Sequence, residues 1–236
     1  MLKKLLNKDS ILGLLLFIVI IIAAIFFSLK DNQSENETVK NQTISDEVNI
    51  TELLSKITDN YTVAVNIIKK EEKSNYNYSR DSKIEYIDEG DNSNKAYFVY
   101  NKKYYSVDIN KYTLTKVKSI PNYNNPYANL DLIKNVIKTC EFKQVNENNK
   151  SCTIKTSTYF DEYNNIYKTK YNGEEDMSIN ISYYPSRIYS IIIDYTNVDK
   201  VINNGEDNLK YALVFSDIGK NDYTKILDYY KKYFKK

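Results

Sequence analysis

The chain reads as a mainly β, α+β fold of about eleven antiparallel strands behind one membrane-spanning helix. Three observations predict this. Residues 11–29 (ILGLLLFIVIIIAAIFFSL) run nineteen positions without a formal charge. Period-two alternation of apolar and polar residues then recurs in short runs from position 61 to position 215. Polar, turn-forming clusters separate the runs, which is the pattern of an antiparallel meander.

The apolar run would make a helix of about 28 Å, close to the thickness of a bilayer core. Lys3, Lys4 and Lys8 precede it, against Asp9 alone. The lysine excess keeps the tail of residues 1–10 in the cytoplasm and exports the rest. A cleaved secretory signal has a shorter apolar region and a small-x-small site. Here Phe26 and Phe27 follow Ala23 and Ala24, so 11–29 is expected to be an uncleaved signal anchor. Residues 30–49 are polar and without periodicity, a linker holding the domain off the membrane. The chain is thus expected at the cell membrane, single-pass, with an extracytoplasmic domain over 50–220.

Within that domain Ile50, Leu53, Leu54 and Ile57 suit a short helix. Tyr61, Val63, Val65 and Ile67 open the strands. Tyr76 and Tyr78 follow, then Ile84 and Tyr86, then Ala96, Phe98 and Tyr100, then Tyr104 to Val107, then Tyr112 and Leu114. Pro121 and Pro126 mark a loop, and Leu130, Ile133, Val136 and Ile137 form one helical stripe. Two short strands are expected around the polar centre Asn146-Glu147-Asn148-Asn149. Thr158 with Asp161 resembles a helix start, and Phe160, Tyr163 and Tyr167 share a face of that helix. Met177, Ile179, Ile181 and Tyr183 alternate up to a Tyr184-Pro185-Ser186 turn. Tyr189, Ile191, Ile193 and Tyr195 alternate back, and Tyr211, Leu213 and Phe215 mark the last strand. Residues 221–236 place Tyr223, Ile226, Leu227, Tyr230, Tyr233 and Phe234 on one face of an amphipathic helix, with lysines on the other. Docking on the sheet is preferred here over lying on an anionic membrane.

Cys140 and Cys152 lie on the exported side. Their even number and the lack of C-x-x-C spacing favour a structural disulfide over a redox pair. A hairpin between them would bring the sulfurs to facing positions, and closing so short a loop is worth about 2–3 kcal/mol.

Composition excludes more than it assigns. The 236 residues hold 33 basic and 31 acidic groups, with no His and no Trp. Without the four Lys and one Asp of residues 1–30, the exported part has 29 and 30, so no basic footprint for nucleic acid is present. Lack of His removes Ser-His-Asp and Cys-His nucleophilic sites and H-E-x-x-H metal sites. Five glycines form no phosphate-cradling loop. No catalytic residue, metal ligand or cofactor is therefore assigned, and the chain is read as a non-enzyme. Carboxylate-pair chemistry stays formally open. The 24 Tyr and many Asn, Lys and Ile reflect an AT-rich coding bias.

The early meander DNYTVAVNIIKK … KAYFVYNKKYYSVD, the late hairpin MSINISYYPSRIYSIIIDY and the closing YALVFSDIGK resemble the lipoprotein-carrier-like superfamily over residues 50–220. That resemblance implies a strongly curved half-barrel whose helices close an apolar cavity for acyl chains. The membrane anchor and the added terminal helix depart from the pattern, and a tethered domain does not cross a compartment. On this reading the module binds a lipid, acyl chain or lipoprotein tail through Val63, Val65, Phe98, Tyr100, Leu130, Ile133, Ile181, Tyr183, Ile191 and Ile193. The alternative is a cell-envelope structural or regulatory interaction protein with a filled core, whose surface meets another envelope protein.

Overall fold

The structure, a computed structural model, describes residues 48–89, 95–108, 111, 113–223 and 228. The expected anchor at 11–29, nearly all of the linker at 30–49 and most of the terminal segment 221–236 lie outside the described residues. Among the described residues no helix is long and apolar enough to cross a membrane.

Eleven strands form one antiparallel sheet. They are β1 (Tyr61–Lys69), β2 (Glu72–Arg80), β3 (Ile84–Asp88), β4 (Lys95–Tyr100), β5 (Lys103–Asp108), β6 (Thr113–Val117), β7 (Lys143–Asn146), β8 (Asn149–Lys155), β9 (Asp176–Tyr184), β10 (Arg187–Asp194) and β11 (Leu209–Ser216). Their spatial order is β6-β5-β4-β3-β2-β1-β11-β10-β9-β8-β7. The chain meanders outward from β1 to one edge, crosses to the other edge, and meanders back. The first and last strands therefore meet in the middle, paired from Thr62 opposite Ser216 to Lys69 opposite Leu209. All eleven expected strands are present. The β4–β5 turn has positive φ at both Asn101 (49°) and Lys102 (60°), the backbone twist that two-residue hairpins favour.

Among the described residues four helices accompany the sheet: α1 (Ile50–Ser55), α2 (Leu130–Lys138), α3 (Thr156–Tyr167) and α4 (Thr196–Asn203), with a 3-10 turn at Pro126–Ala128. The Asn49 side chain caps α1 by accepting from the Glu52 N–H at 3.2 Å. The Asn129 side chain caps α2 by accepting from the N–H groups of Asp131 and Leu132, each at 3.1 Å. Asp131 in the first turn and Lys138 in the last also complement the helix dipole. α3 begins at Thr156, two residues before the expected Thr158 signal, without a side-chain cap.

α4 was not expected from the sequence. Its eight residues, TNVDKVIN, bury only Val198 and Asp199, too few to make a periodic stripe. Polar contacts hold it instead. Asp199 is 2% exposed, accepts from the Tyr127 hydroxyl at 2.8 Å, and shares Asn203 with it. The chain then turns back over this carboxylate at Gly205, where an added Cβ would stand 2.1 Å from Asp199 Oδ2. Only glycine fits that approach.

The main core lies on one sheet face. Tyr61, Val63 and Val65 of β1 share it with Leu213 and Phe215 of β11, Ile191 and Ile193 of β10, and Ile179 and Ile181 of β9, beneath residues of α1 to α4. Lys150 of β8 is buried on the same face, and its Nζ donates to the Val48 carbonyl at 2.9 Å. A second cluster of Ile84, Ala96, Phe98, Tyr105, Val107 and Leu114 occupies the opposite face of β3–β6, with Tyr223 packed against it.

Cys140 and Cys152 are bonded, with Cα atoms 5.8 Å apart. The pairing matches expectation and its placement does not. In the β7–β8 hairpin Lys143 faces Ser151 and Gln144 faces Lys150. Cys140 stands three residues before that ladder, directly after the Thr139 cap of α2. The bond therefore ties the end of a helix to the sheet, rather than one strand to the facing strand.

Candidate functional site

A cavity of about 360 Å³ opens over the middle of the sheet. Strand register builds its floor. Val63 lies between Phe215 on β11 and Tyr78 on β2, and Val65 lies between Leu213 and Tyr76. Direct partners in an antiparallel ladder project to the same side, so these six side chains form one patch. Tyr61 and its partner Arg80 close the end of the patch. The opposite wall comes from the crossover: Asn122 to Asn125, then Ala128 to Asp131, then Lys134 on α2 and Tyr167 on α3. Thr58 and Asp59 complete the rim.

The two walls differ chemically. Aliphatic and aromatic side chains make the floor. The rim carries Arg80, Lys134, Asp59, Asp131 and four asparagines, Asn122, Asn124, Asn125 and Asn129. Several of these groups hold one another in place. The Asn125 Nδ2 donates to the Tyr211 hydroxyl at 3.2 Å, and the Asn129 Nδ2 donates to the Tyr167 hydroxyl at 3.0 Å. The hydroxyls of Tyr78 (2.5 Å) and Tyr123 (3.0 Å) both donate to the Glu85 carboxylate. Lys134 Nζ donates to the Ile57 carbonyl, and burial holds this lysine below its ordinary value.

Burial pushes the Tyr61 hydroxyl up to about 12, although the neighbouring Arg80 pulls it down through charge and a shared hydrogen bond. Burial likewise raises Tyr76, Tyr78 and Tyr123. These four tyrosines therefore stay neutral through the physiological range.

Arg80 is partly satisfied, since it donates to the Tyr61 hydroxyl. Its Nη2 stands 3.6 Å from Asp59 Oδ1, longer than a charge-assisted hydrogen bond of about 2.7–2.9 Å. Its Nε is buried and has no hydrogen-bond partner among the described residues.

Of the residues expected from the sequence, Val63, Val65 and Leu130 line the cavity. Ile133, Ile181, Ile191 and Ile193 sit in the main core beyond it. Tyr183 is also in that core, and its hydroxyl accepts from Gln144 Nε2 at 2.9 Å. Phe98 lies in the second cluster on the other sheet face, with Tyr100 packed against it. Of these ten residues two therefore lie on the cavity floor and one on the opposite wall. One signal for the rim was present: Arg80 is one of two arginines among 33 basic residues. Among the described residues no group of three or more His, Cys, Asp or Glu side chains is placed to hold a metal ion.

No protein-family model matches the chain, and no curated protein matches it.

Proposed function

We propose that the protein is a membrane-tethered extracytoplasmic binding module that shelters the acyl part of an amphiphile between its sheet and the α2 side of the cavity. The observation that carries this reading is the cavity, whose volume falls within the range of small-molecule sites. Val63, Val65, Leu213 and Phe215, none more than 4% exposed, lie beneath a polar rim, so a ligand with one greasy end and one wet end would reach them by spreading the overlying Tyr76 and Tyr78 rings. Transfer of each CH₂ onto such a floor contributes about 0.8 kcal/mol. In this proposal the sheet is a lipoprotein-carrier-like half-barrel, residues 11–29 are its tether, and residues 221–236 close the domain as an amphipathic helix. The ligand would then be taken up at the outer leaflet, and no bond is made or broken.

The burial of Ile133, Ile181, Ile191 and Ile193 in packed core favours a second reading, an envelope interaction protein that needs no ligand. One experiment separates the two. The full chain, held in an amphipathic polymer, is analysed by native mass spectrometry and then photolabelled with a diazirine-bearing fatty acid. Co-purified lipid, with label on the peptides carrying Val63 and Val65 or Leu213 and Phe215, is the expected result. Lipid-free protein that takes no label on those peptides would leave only the second reading.

A further inference from the structure

We infer that Arg80 makes the site selective for amphiphiles with a compact monoanionic head, a carboxylate foremost. This inference rests on the binding reading above and names the ligand class for that same cavity.

Four observations support it. Arg80 lines the cavity at the end of its apolar floor, opposite Tyr61 on the neighbouring strand. The Nε–H is shielded and without a partner among the described residues, so a turn of the guanidinium toward the cavity would let an incoming acceptor recover the cost of an unpaired buried donor. Asp59 does not saturate the guanidinium, because their separation is 3.6 Å and the Asp59 side chain is 81% exposed. Glu85, opposite Arg80 on β3, already accepts from two tyrosine hydroxyls. Arg80 therefore keeps hydrogen-bonding capacity beside a greasy floor. A guanidinium presents a planar fork that matches a carboxylate in two-point fashion.

The rim sets the size and charge of the head. Lys134 adds a second cation, while Asp59 and Asp131 stand on the same rim. Two carboxylates there repel a bulky dianionic head such as a phosphomonoester. A single negative charge, reached from one side by Arg80, avoids both. The alkyl chain then runs along Val63, Val65, Leu213 and Phe215.

The test is a competition on the full chain in amphipathic polymer. A diazirine fatty alcohol labels the cavity, and myristic acid or methyl myristate displaces it. The acid is expected to compete at about tenfold lower concentration than the ester, the effect of one charge-assisted contact pair. In Arg80→Met the acid should fall to within about twofold of the ester measured on the same variant, with an unaltered far-ultraviolet circular dichroism spectrum as proof that the sheet persists. Arg80→Lys keeps the charge without the fork and should lower the preference at least about threefold. Equal competition by acid and ester in the unaltered protein overturns the inference and leaves the binding reading standing. So does a preference that survives both substitutions. Failure of the alcohol probe to label the cavity at all overturns the binding reading itself, and the two failures are thereby distinguished.

Discussion

One end of the sheet buries a single face and the other end buries both. From β1 and β2 through β11 to β8, the residues beneath the helices are sealed, and their outward partners are Thr62, Asn66, Asn180, Ser182 and Lys210. From β3 to β6 the buried Ile84, Ala96 and Phe98 point the other way, while Ile87 and Val99 reach the main core. The same alternation of apolar and polar positions thus serves two interiors. Period two says that a strand has two faces, and it does not say which face meets the helices. This is why Val63 and Val65 line the cavity while Phe98 and Tyr100, chosen by the same logic, lie on the far side of the sheet from it.

If the two interiors are energetically distinct, substitutions in each should spread differently. Ile181→Ala empties a fully buried position of the helix-covered interior and is expected to cost about 3–4 kcal/mol in urea unfolding. Hydrogen exchange should then rise together in β1, β2 and β8–β11. Phe98→Ala removes a side chain at least as large, yet faster exchange should be confined to β3–β6. If both variants loosen all eleven strands equally, the division into two interiors is wrong.

The comparison also explains what was legible beforehand. Strands and the helices α1 and α2 announce themselves through spacing of Val, Ile, Leu and Tyr, because burial of those residues is what forms them. α4 does not, since it is held by Asp199, Tyr127 and Asn203 across about seventy positions of sequence. The disulfide was readable as a pair, because two cysteines have one pairing. Its geometry was not, because nothing in EFKQVNENNKS marks where the strand begins. The cavity's polar rim was hidden by composition. Asn122, Asn125, Asn129 and Lys134 are the residue types this chain uses everywhere, so only Arg80 stood out against the background.

Tyrosine chemistry sharpens the contrast. The helix-covered interior contains Tyr61, Tyr76, Tyr127, Tyr159, Tyr195 and Tyr211, each raised from 10.0 with burial as the largest cause. A group whose folded value lies above its unfolded value contributes stability that is fully present below the unfolded value and lost as pH rises through the folded one. For Tyr61 that window runs from pH 10 to about 12. The buried rings should therefore resist ionisation and then release together. Absorbance at about 295 nm and far-ultraviolet circular dichroism should change in one steep, coincident step above about pH 10. Gradual tyrosine ionisation with the sheet intact would mean that these hydroxyls reach water, and the sealed half would lose its claim to be sealed.

The smallest effect concerns the join between the second cluster and the chain's last described turn. The Asp81 carboxylate accepts from the N–H groups of Lys83 at 2.7 Å and Ile84 at 2.8 Å, and its other oxygen accepts from the Tyr223 N–H at 3.1 Å. One side chain thus shapes the β2–β3 turn and fastens the segment whose tyrosine packs on the second cluster. Asp81→Ala leaves three backbone donors without this acceptor, two of them in a tight turn. Replacing a comparable cap costs about 1–2 kcal/mol, and the same is expected here by thermal unfolding. Asp81→Asn keeps an acceptor for the turn and should recover most of that loss. The fold argument predicts a spatial limit as well: protection should fall at β3 and around Tyr223, while the Tyr61–Arg80 end of the cavity, held by the β1–β2 ladder, keeps its protection.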